Sequence, residues 1–83
     1  MEVISMLNKV KIFLSPRDVK EFVKVTGRCD FDIDIAASNN RYIVDAKSIL
    51  GVLGLDLSRA VTLTYSGYNA DLEKYIHSHA MAC

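Results

Sequence analysis

A chain of 83 residues has room for one small core and not for two, because a domain of this size buries only about 60% of the surface its unfolded chain exposes. Ten basic residues balance ten acidic ones and the signs are interspersed, which excludes the positive field that holds a phosphate backbone and so excludes nucleic acid as a partner. Apolar residues make up 51% of the chain with no Pro- or Ser-rich tract, which excludes a disordered tail and predicts a single domain over residues 1–83.

The N-terminal run Met1-Glu2-Val3-Ile4-Ser5-Met6-Leu7 carries an acid where a secretory signal needs positive charge, and its apolar stretch stops at Asn8. Nothing approaches the ~20 apolar residues of a membrane span. Cys29 and Cys83 are too few for a disulfide framework and are expected as free thiols in a reducing cytoplasm.

In residues 9–14, Val10, Ile12 and Leu14 alternate with Lys9, Lys11 and Phe13, the pattern of a half-buried strand. Ser15 then stands as N-cap, Pro16 at the first helical position and Asp18 in the first turn. Val19, Phe22, Val23 and Thr26 follow at helical spacing, and Gly27 is placed to end this first helix. A second strand runs through Phe31, Ile33 and Ile35, with Asp32 and Asp34 on its wet face. Ser38-Asn39-Asn40 reads as a turn and Tyr42-Ile43-Val44 as the returning strand.

Ser48 is placed to cap a short helix ending near Leu53, with Gly54 closing it. Val61, Leu63 and Tyr65 alternate with Thr62, Thr64 and Ser66 as a fourth strand. Gly67-Tyr68-Asn69 turns the chain, and Asn69 caps a last helix whose inner stripe is Leu72, Tyr75 and Ile76. This order predicts an α+β domain with helices covering one face of an antiparallel sheet.

Asp45-Ala46-Lys47-Ser48-Ile49-Leu50-Gly51-Val52-Leu53-Gly54-Leu55 resembles the segment around the regulatory serine of the HPr family, the small phosphocarriers of the bacterial sugar phosphotransferase system. The resemblance spans residues 8–80 and implies that family's open-faced β-sandwich, a four-stranded antiparallel sheet in order 1-4-2-3 with three helices on one face. It departs where the family's chemistry resides. Aligned backward from Glu21-Phe22-Val23-Lys24, the family's His-Thr-Arg-Pro motif falls on Ser15-Pro16-Arg17-Asp18, so only Arg17 matches. The only histidines are His77 and His79. Ser15 and Arg17 therefore mark a degenerate phosphoacceptor region, in which Ser15 is explained by capping and Arg17 by a solvated surface position or an anion contact.

By the same resemblance, Ser48 is the candidate for phosphorylation. In several HPr proteins, and in the histidine-less Crh branch, an HPr kinase modifies this serine and the product binds a transcriptional regulator. Helical spacing separates Ile49, Leu50 and Leu53 from Val52 and Leu55. The resemblance makes the first set the exposed one, docking protein partners with Lys47 at the rim to steer an acidic surface.

His77, His79 and Cys83 do not form a metal site on spacing, since helical residues two apart diverge. Asp30, Asp32 and Asp34 are read as a solvated strand face. No phosphate loop or nucleophile–base pair is present, so neither enzymatic activity nor a cofactor is expected. The reading is a cytoplasmic HPr-like module, monomer or weak dimer, that has lost phosphocarrier function and binds protein partners through the Ser48 helix. Two alternatives stay open: phosphoryl transfer from a displaced acceptor, Ser15 or a tail histidine, and a structural domain that self-associates through the apolar helix.

Overall fold

The structure, a computed structural model, describes residues 7–38 and 42–80. Its elements in chain order are β1 (Asn8–Ile12), a 3₁₀ turn (Pro16–Asp18), α1 (Val19–Gly27), β2 (Ile33–Ala36), β3 (Ile43–Asp45), α2 (Ile49–Leu53), β4 (Val61–Tyr65) and α3 (Ala70–His79). The strands form one antiparallel sheet in the order β1-β4-β2-β3.

The register sorts the side chains by face. Val10, Leu63, Ile35 and Val44 lie in one row across the sheet, with Ile12 beside Val61 and Tyr65 beside Ile33 on the same side. These residues share one core with Val19 and Phe22 of α1, Val52 of α2, and Leu72 and Ile76 of α3, so the three helices cover one face. The other face carries two rows, Lys9–Thr64–Asp34–Asp45 and Lys11–Thr62–Ala36–Ile43. The architecture is the α+β, order 1-4-2-3 arrangement expected.

The local departures have identifiable causes. β1 ends at Ile12, two residues early, and there the Phe13 N–H donates to the His79 carbonyl at 3.0 Å in an isolated antiparallel bridge of Ile12 with Ala80. Leu14 is buried all the same. The helix expected from Pro16 starts as a 3₁₀ turn, with the Asp18 N–H on the Ser15 carbonyl at 2.9 Å, and becomes α-helical only at Val19. Ser15 is the N-cap residue as expected, in a capping box with Asp18, whose Oδ2 accepts from the Ser15 hydroxyl and N–H at 3.0 and 2.9 Å. Phe31 lies outside β2 and stacks on Tyr65, ring centroids 5.9 Å apart.

The caps of α2 and α3 form as the sequence predicts. Ser48 Oγ accepts from the Gly51 N–H at 3.2 Å, and Asn69 Oδ1 from the Leu72 N–H at 3.0 Å. The turn expected at Ser38-Asn39-Asn40 falls largely outside the described residues, as does Cys83. Cys29 is a buried free thiol whose pKa burial raises. No helix among the described residues is long and apolar enough to cross a membrane.

Candidate functional site

α2 is five residues long, and one side of it is fixed by the core. Val52 is fully buried and Leu55, just past the helix, nearly so. The 100° step per residue then turns Ile49, Leu50 and Leu53 outward, at 42%, 80% and 47% exposure. Three large apolar side chains in one short helix facing water is the kind of patch a partner covers. Ser48, at the head of this helix, is exposed.

Lys47 does not stand free at the rim. It is half-buried, and its ammonium donates to the Cys29 carbonyl at 2.8 Å, tying the residue before the cap to the end of α1. A stripe of solvent-facing cations runs along α1 and its two ends. Arg17, Lys20, Lys24 and Arg28 border one shallow depression interrupted by Glu21, and Arg28 reaches Asp71 at 3.8 Å. Sequence reading passed over this stripe, although its spacing of three and four residues was there to be found.

Leu53 also belongs to a groove of about 830 Å³ formed by the β1–α1 connection, the α2–β4 connection and the end of α3. Phe13, Leu14, Leu55 and Leu57 give it an apolar lining, and Ser15, Asp18, Asp56 and His79 stand among them. Ser15 and Arg17, paired in the sequence reading, are separated here: Ser15 lines the groove and Arg17 the depression on α1. The groove's carboxylates favour the ionised state. The Ser15 N–H, aided by its hydroxyl, holds Asp18 below its ordinary pKa against the opposing effect of burial, and the Ser58 hydroxyl and N–H do the same for Asp56.

His77 is exposed as expected of a solvated helix end, but His79 is not. The hydrogen bond from Phe13 draws the last turn of α3 against β1, and His79 is half-buried in the groove wall. Its ring stacks on Tyr75 at a centroid distance of 4.0 Å. Nδ1 lies 3.0 Å from the Tyr75 carbonyl, which only accepts, and 3.0 Å from the Ser78 hydroxyl. Only the folded topology joins residues 15 and 79; no local motif announces the pairing. Asp34 and Asp45 sit directly opposite each other on the open face, and Asp32 is exposed. No three His, Cys, Asp or Glu residues gather for a metal among the described residues.

No protein-family model matches the chain, and no curated protein matches it in sequence. Among solved structures it is similar to a phosphocarrier protein HPr from Bacillus anthracis str. Ames, with a TM-score of 0.60 and 26% identity over 94% of this chain and 95% of that one. The fold is HPr-like.

Proposed function

We propose that this chain is an HPr-like protein-binding and regulatory module of the bacterial cytoplasm, a single domain without a phosphocarrier histidine, which engages its partners through α2. The observation that carries the reading is the outward triplet Ile49, Leu50 and Leu53, continuous through Leu53 with the apolar groove. Similarity to an HPr phosphocarrier supports the family's manner of working by protein–protein contact. The α1 stripe of Arg17, Lys20 and Lys24 supplies the positive potential that steers an acidic partner, while Lys47 holds α2 in place.

Ser48 is the modification point of this module, with an HPr kinase as donor and a transcriptional regulator as reader. Its hydroxyl is exposed, and a phosphate there adds about −1.5 to −2 charge beside the apolar triplet, enough to change which partner the surface accepts. The displaced-acceptor reading draws on His79, which shares the groove with Ser15. Against it stands the ionised Asp18 in the same groove, which repels an incoming phosphoryl group.

Intact mass after incubation with HPr kinase and ATP, beside a parallel reaction with the general phosphotransferase enzyme and phosphoenolpyruvate, separates the two. The regulatory reading expects one phosphate from the kinase only, absent in Ser48→Ala. A phosphate from phosphoenolpyruvate that disappears in His79→Gln would replace it with the carrier reading. No phosphate from either donor would remove Ser48 and His79 as phosphorylation sites.

A further inference from the structure

The face of the sheet that bears no helix has its charges sorted by strand. Lys9 and Lys11 stand on β1 at one edge, Thr62 and Thr64 on β4, Asp34 and Ala36 on β2, and Ile43 and Asp45 on β3 at the other edge. Asp34 and Asp45 are directly opposed across β2 and β3, a like-charge pair that costs stability, and neither has an ion-pair partner among the described residues. Lys9 and Lys11, two strands and more away, are equally unpaired among the described residues. We propose that this face binds a second copy of the chain, face to face, about a two-fold axis running parallel to the strands.

Symmetry selects that arrangement. A two-fold axis along the strands lays β1 of one copy over β3 of the other and β4 over β2, keeping each row opposite itself. Lys9 then meets the other copy's Asp45, Thr64 meets Asp34, Thr62 meets Ala36, and the Lys11 stem lies over Ile43 with its ammonium free to reach outward. The alternative axis, across the strands, lays each strand over its own copy with the rows exchanged, so Lys9 and Lys11 face the other copy's Lys11 and Lys9, and it is disfavoured by charge. Two rows of four residues on strands about 4.8 Å apart offer on the order of 300 Å² per copy. That is well short of the roughly 800 Å² per partner of a standard interface, so the dimer is weak and salt-sensitive.

The helices lie on the opposite face, so such a dimer leaves both α2 patches open.

Sedimentation velocity over a concentration series, at low and high salt, reads the association. The wild-type chain is expected to dimerise reversibly at high protein concentration and to lose the dimer at high salt. Lys9→Glu and Asp45→Lys, each checked for an unchanged circular dichroism spectrum, are each expected to remain monomeric alone. Mixed, they are expected to form a heterodimer, because the carboxylate introduced on β1 of one then meets the ammonium introduced on β3 of the other, while the native pair survives at the second contact. Leu50→Asp is expected to dimerise like the wild type. A wild-type chain that stays monomeric throughout, single variants that dimerise as well as it does, a mixture that fails to associate, or a dimer dissolved by Leu50→Asp would each overturn the proposal.

Discussion

The ammonium of Lys47 donates to the carbonyl of Cys29 across 2.8 Å, joining the residue before the α2 cap to the residue two beyond α1. A charge-assisted bond at a half-buried site contributes more than a surface ion pair and less than a buried one. Lys47→Met keeps the stem and deletes the donor. Its expected cost is about 1 kcal/mol in urea unfolding, with α2 docking affected through misplacement of the helix and little altered in its salt dependence.

Thr26 performs the same service from inside. It is fully buried, and its Oγ1 lies 2.9 Å from the Ala46 carbonyl and 3.2 Å from that of Val23. One hydroxyl proton serves two acceptors, the nearer of them twenty residues away in the β3–α2 corner. Thr26→Val is nearly isosteric, so packing survives while the Ala46 carbonyl loses its donor. Equilibrium unfolding is expected to show a loss of about 1–3 kcal/mol, and Thr26→Ser, which restores the donor, a smaller one.

Two glycines, Gly27 read as a helix end and Gly67 as part of a turn, are predicted to respond in opposite directions. Gly67 has φ of 157°, and a Cβ there would run into the Phe31 ring, which is itself stacked on Tyr65. Gly67→Ala is expected to cost about 1–3 kcal/mol. Gly27 ends α1 without positive φ, and a Cβ there meets nothing within 4 Å. Gly27→Ala is expected to raise stability by about 0.4–1 kcal/mol through the entropy of the unfolded chain. Thermal melts of the pair check both signs.

These glycines show where the sequence was legible and where it was not. Alternation at Val61–Tyr65 and the cap residues Ser48 and Asn69 are local signals, and the structure places those elements as expected. The split of Ile49, Leu50 and Leu53 from Val52 was likewise readable, being helical phase alone. What escaped depends on partners distant in sequence: Phe31 closing over Gly67, Lys47 reaching Cys29, and Phe13 drawing His79 into the groove. Composition at residue 79 is the same whether its imidazole is solvated or stacked on Tyr75.

Leu50 is the most exposed member of the α2 triplet, at 80%, so its replacement tests docking with little effect on the core. Leu50→Asp is expected to change stability by less than about 0.5 kcal/mol. Affinity for the partner is expected to fall tenfold or more, since a charge buried at the centre of an apolar contact costs over about 1.4 kcal/mol. Titration calorimetry with the partner reads the affinity and a urea melt reads the fold. Val52→Ala, on the opposite side of the helix, should do the reverse: about 1–3 kcal/mol lost from stability, with the contact surface intact.

Tyr65 is buried at the end of β4 with its hydroxyl donating to Glu73 Oε2 at 2.7 Å. Burial first, then that hydrogen bond and the carboxylate charge, push its pKa up from 10.0. Burial likewise pushes Tyr75 up to about 12. Both phenols keep their protons in the fold after the unfolded chain has begun to lose them. Above the unfolded value of about 10 the native state therefore binds more protons than the unfolded one, and stability falls as pH rises. Each phenol contributes a slope of at most about 1.4 kcal/mol per pH unit, Tyr75 until about pH 12 and Tyr65 beyond it. Tyr65→Phe removes one contribution together with the Glu73 bond, so it starts less stable than the wild type near neutral pH. Its deficit is expected to narrow steadily above about pH 10, where the wild type carries a proton-linked penalty that the variant lacks. Urea midpoints measured from neutral pH to about pH 11 would show it; parallel lines for the two proteins would mean that Tyr65 titrates alike in the folded and unfolded chain.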